Sequence, residues 1–143
     1  MSRRVPGLAR VALLAGLLSL TAGCENGPDR LFVPQVAPTT LAQVQAQVFT
    51  PRCATAGCHV GAGAPFGLDL SAGSTIGNVV NIDSSEVPTL MRVEPGNAVD
   101  SYLYMKLVAD PRILGDPMPL FETPLSATDL QLVASWIDQG ATN

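Results

Sequence analysis

Residues 48–59 read VFTPRCATAGCH, and the last seven of them, CATAGCH, decide how the rest of the chain is read. His59 is the only histidine in 143 residues; it directly follows Cys58, and Cys53 lies five places before Cys58. Two thiols followed at once by an imidazole is the order that covalent haem attachment needs. The sulfurs add to the vinyl groups and the next residue offers its ring to iron. The usual motif places two residues between the cysteines. Here four intervene, Ala54 to Gly57, all small enough to let the loop bulge outward. The same residues admit other chemistry. Two cysteines of an exported protein pair as a disulfide by default, which leaves His59 without a task. A zinc site needs a fourth ligand from Asp or Glu, and a redox dithiol normally has the C-x-x-C spacing.

With no second histidine, an axial partner for iron within the chain must come from Met91, Met105 or Met118. Met105 falls inside a helical stretch and Met91 stands between Leu90 and Arg92, so both read as packing residues. Met118 is flanked by Pro117 and Pro119 in a loop far downstream of His59. Prolines on both sides restrict the backbone there and can present a thioether.

Outward from the motif, Thr39 or Thr40 can cap a helix over roughly 41–50, with Leu41, Val44, Val48 and Phe49 at helical spacing and Pro51 as its stop. A glycine-punctuated middle follows, in which Gly67-Leu68-Asp69-Leu70 is at most a short extended piece and Val93–Gly96 a turn. A second helix starts at Asp100 or Ser101 and ends before Pro111. The third begins at Ser126, with Asp129 at the capping-box position and Leu130, Val133 and Ile137 as its apolar stripe, and ends at Gly140. The fold class expected is mostly α, with three helices joined by long loops around a central group.

Composition agrees with a fold that needs such a group. Only 5% of residues are aromatic, whereas aromatic side chains usually dominate core burial. A small domain of that kind is commonly stapled by disulfides, a metal or a cofactor. A formal charge of −4 argues against nucleic acid.

The N-terminal quarter reads as an address. Arg3, Arg4 and Arg10 precede the apolar run Val11–Leu20, which is too short for a permanent membrane span and fits a secretory signal. The sequence LTAGC then resembles a bacterial lipoprotein signal, with Cys24 the lipidated first residue; plain secretion with Cys24 as a spare thiol is the alternative. The expected organisation is a signal peptide at 1–23, a flexible tether at 24–38 and a domain at 39–143. Of 8 basic and 12 acidic residues, cleavage removes three Arg and no acid, leaving a formal −7.

The stretch 44–141 resembles the small c-type cytochrome domain called the planctomycete-type cytochrome, found in exported bacterial proteins. The matching pieces are VFTPRCATAGCH, GLDL at 67–70, VEPGNAVDSYLYMKL at 93–107, Met118-Pro119, and LSATDLQLVASWIDQGA at 125–141. The resemblance implies a single-haem cytochrome c-like fold in which the first and last helices cross beside the ring. It implies one covalent haem c on Cys53 and Cys58, with His59 as the proximal and Met118 as the distal iron ligand. It places Trp136 at the haem edge or the helix crossing.

The function expected is that of an electron carrier rather than an enzyme, lipid-anchored to a bacterial membrane and facing the periplasm or the outside. No catalytic dyad or triad and no small-molecule substrate is identified. The acidic mature chain suits protein redox partners with a basic face. Two rivals use the same residues: an open-site haem sensor or peroxidase, and a haem-free, disulfide-stapled binding module.

Overall fold

A computed structural model describes residues 37–143. The expected signal peptide, Cys24 and most of the tether lie outside the described residues. Helices are the regular secondary structure of the described residues, with no strand among them; two isolated bridges, Val80 with Val93 (parallel) and Asp83 with Met91 (antiparallel), tie the middle loops together.

The first helix opens as the sequence suggests. Thr40 is its N-cap: the side-chain oxygen accepts from Gln43 N–H, and the Gln43 side chain returns to Thr40 N–H, a reciprocal capping box. Helix α1 spans Leu41–Val44 and runs directly into a π-helical segment, Gln45–Cys53, with Pro51 inside it. Pro51 was expected to stop the helix and does not. The wider i→i+5 winding carries the chain past it, and Ala54 N–H donates to Phe49 O at 2.7 Å. That extra turn delivers Cys53, the first residue of the motif, to the buried end of the helix.

Helix α2, Thr75–Val79, was not expected from the sequence. It is held to the start of the π segment by a buried polar chain. Thr75 Oγ1 donates to Gln45 Oε1 at 2.7 Å, and Gln45 Nε2 donates to Leu70 O at 2.8 Å. A buried amide with both ends satisfied fixes geometry without leaving an orphaned group. The GLDL piece is not a strand; a 3-10 turn, Pro65–Gly67, leads into it.

Helix α3 spans Tyr102–Val108 with Ser101 as N-cap and Ala109 in the left-handed region at its end. Helix α4, Ala127–Asp138, starts where the capping residues place it: Ser126 Oγ accepts from Asp129 N–H at 3.1 Å. Its stripe packs across α1 and the π segment. At the crossing, Phe49 and Trp136 meet edge to face, ring centroids 6.1 Å apart at 84°, each 1% exposed. Trp136 Nε1 donates to Thr142 O at 2.8 Å, so the indole is also satisfied. Met105 is fully buried, as its packing role requires, whereas Met91 is 37% exposed and is not the packing residue expected.

No helix among the described residues is long and apolar enough to cross a membrane.

Candidate functional site

The π-helical end, the CATAGCH loop, α3 and the loop before α4 enclose a cleft of about 290 Å³. Cys53, Cys58, His59 and Met118 all line it. A smaller cavity of about 40 Å³ lies behind, and Cys53, His59, Leu68, Leu103 and Met118 border both. The fold thus gathers in one place the four residues singled out in the sequence, including a methionine far from the others in the chain.

The loop is closed by its own backbone. His59 N–H donates to Cys53 O at 3.0 Å and Cys58 N–H to Thr55 O at 2.9 Å, with Gly57 at φ +81 making the turn. The loop turns outward after Ala54, which packs against the core, leaving Ala56, Gly57 and Cys58 exposed while Cys53 is buried. On the far side, Leu70 N–H donates to His59 O at 2.9 Å. Asp69 Oδ1 collects Gly61 N–H at 3.0 Å, Ser71 N–H at 2.9 Å and Ser71 Oγ at 2.5 Å. This clamp explains why the GLDL piece sits beside the motif. The hydroxyl of Ser71 and then the two amides lower the Asp69 carboxyl to about 2.

Both cysteines are free thiols, so no disulfide joins them. Burial pushes the Cys53 thiol up to about 12, against the opposing pull of Arg52. A thiol so strongly held neutral is not poised as the nucleophile of a redox dithiol. Burial also lowers the pKa of His59, with Arg92 adding to the effect and the backbone of Leu68 opposing it. The neutral ring, the form that ligates metals, is therefore favoured. His59 Nδ1 is buried and meets no hydrogen-bond partner among the described residues.

Apolar groups, among them Phe66, Leu68, Leu103 and Leu120, supply much of the wall, and three cations stand among them: Arg52, Arg92 and Lys106. Arg92 donates to Phe66 O at 2.7 Å, Asn78 O at 2.9 Å and Ser85 Oγ at 3.1 Å. Arg52 pairs with Glu122 at 3.0 Å and donates to Thr123 O at 2.6 Å, strapping the loop beyond Met118 to the residue before Cys53. Two large apolar side chains are left in solvent beside this wall: Phe66, 64% exposed, and Phe121, 97% exposed, both at positive φ. Neither the strap nor the cations could be foreseen, because they belong to no spacing pattern. Trp136 is not among the lining residues and takes the helix-crossing place instead. No cluster of three or more His, Cys, Asp or Glu side chains suited to a metal ion is present among the described residues.

Compared with family models, with curated proteins and with solved structures, the chain matches none.

Proposed function

We propose that this chain is a single-haem c-type electron carrier, exported and held to a membrane by a lipid on Cys24. The observation that carries the reading is the convergence of Cys53, Cys58, His59 and Met118 on one cleft. Three further features support it. The thiols are unpaired. The His59 ring is favoured in its neutral form and has a buried nitrogen without a partner. The wall is largely apolar, which suits a flat hydrophobic ligand.

Cys53 and Cys58 would hold the group covalently as thioethers, and His59 and Met118 would supply its iron ligands. When bound, the haem would supply reversible one-electron chemistry, with a potential tuned by its iron ligands, burial and nearby charge. The chain's part is to fix those ligands. The hydrogen bond from His59 N–H to Cys53 O and the Asp69 clamp hold the loop that carries the imidazole. Pro117 and Pro119 flank Met118 in the loop that brings its side chain to the cleft. Among the described residues, Arg52, Lys106 and Arg112 are already paired with carboxylates, so the net negative surface has few free cations to offset it. A partner with a basic face and salt-sensitive association follows from that balance.

The test compares the wild type with Met118→Ala after expression with haem-maturation machinery. The expected result is that only the variant's ferrous form binds carbon monoxide rapidly, and that its reduction potential falls. Rapid carbon monoxide binding by the wild type would favour an open-site sensor or peroxidase.

A further inference from the structure

Helix α3 presents Tyr102 and Lys106 on one face, four residues apart, toward the loop that leads to Met118. The Lys106 side chain is 10% exposed, and its ammonium group has three protons to place. Its Nζ lies 2.9 Å from Glu86 Oε2, donates to Leu114 O, and donates to Asp116 O at 3.3 Å. Gly115, at φ +66, turns the chain between the two carbonyls, and a Cβ there would stand 3.9 Å from Nζ. Tyr102 Oη accepts Leu114 N–H at 3.0 Å, so both backbone groups of Leu114 are held by α3. The main chain of Lys106 completes the clasp: its carbonyl accepts Met118 N–H at 2.9 Å.

Lys106 therefore grips residues 114–118 from its side chain and its backbone together. A surface ion pair would need none of this. The group is largely withdrawn from water, and its carboxylate partner, 22% exposed, is itself set by a turn in which Ser84 Oγ accepts from Glu86 N–H at 3.3 Å. We propose that Lys106, neutralised by Glu86, is the positioning residue for Met118: the clasp sets where the thioether enters the cleft. The proposal deepens the haem reading and rests on it only for the spectroscopic consequence.

Lys106→Met alone strands the Glu86 carboxylate, so the test uses the paired variant Lys106→Met/Glu86→Leu, which removes both charges. The first readout is amide hydrogen exchange by NMR in the full chain as purified, with any haem held ferrous, comparing Met118 N–H with Leu103 N–H, which donates to Arg92 O at 2.9 Å at the other end of α3. The expected result is exchange at Met118 faster by about 10- to 150-fold, the scale of a lost charge-assisted hydrogen bond, with Leu103 unchanged. Unchanged exchange at Met118, or an equal rise at both amides, would overturn the proposal. The second readout is the sulfur-to-iron charge-transfer band of the haem-loaded ferric protein, expected to be lost in the variant. Its retention would also overturn the positioning role. If the wild type itself carries no haem, the haem reading fails while the exchange result still decides the clasp.

Discussion

Alkylation of Cys53 in the haem-free protein offers a quantitative check on the geometry of the site. Burial raises its pKa from an ordinary 9.0 to about 12. At pH 8 the thiolate fraction then falls from about one in ten to about one in ten thousand, roughly a thousandfold loss of the reactive form. A more basic thiolate is also a better nucleophile, with a Brønsted slope of about 0.4–0.5, which returns a factor of roughly 20. The net expectation is a rate about 50-fold below that of the unfolded chain, before any steric shielding of a residue only 8% exposed. The assay is timed iodoacetamide labelling with peptide mass spectrometry, using the urea-unfolded chain as reference and exposed Cys58 as an internal comparison. The rate at Cys53 should also climb about tenfold per pH unit through pH 10, without the inflection near pH 9 of an ordinary thiol. An inflection there, or labelling as fast as in the unfolded chain, would refute the burial of Cys53 at the end of the π segment.

Three further outcomes follow from the same structure. Asp69 is lowered from 3.8 to about 2, so its stabilising effect is in place above the unfolded value and is lost as pH falls from there through about 2. Asp69→Ala should remove that part of the acid dependence, seen as a shallower fall in melting temperature than the wild type across this window. Trp136→Ala should cost about 3–5 kcal/mol in urea unfolding, since it empties the crossing against Phe49; a loss under 1 kcal/mol would place the indole outside the core. Arg52→Ala should release the strap to Glu122 and Thr123, making backbone amides of residues 120–123 exchange faster while leaving the melting temperature nearly unchanged, as expected for a partly exposed pair.

What could be read from the chain follows from which forces are local. Helix starts were legible because capping is short-range chemistry: Ser126 declares itself through Asp129 three residues on, and of the two threonines that offered a cap for the first helix the structure uses Thr40. Three of the cleft residues were legible because Cys53, Cys58 and His59 are neighbours in sequence as well as in space. Met118 could be picked out by its flanking prolines. The π segment was missed because Pro51 reads as a stop under α-helical rules, and only the wider winding makes room for it. Helix α2 was missed because its apolar signal is short and its anchor, Thr75 to Gln45, spans 30 residues. The clasp at Lys106 joins Glu86, Leu114 and Asp116 through tertiary contacts, and no spacing in the chain announces them.

The central claim is that Cys53 and Cys58 carry a haem, and it is tested most directly on protein produced with c-type maturation machinery. The protein is denatured, then examined by pyridine haemochrome spectrum and intact mass. The account predicts a c-type spectrum that survives denaturation, a mass increase of one haem per chain, and no free thiol at Cys53 or Cys58. A colourless protein whose mass shows only the loss of two hydrogens, with Cys53 joined to Cys58, would contradict it.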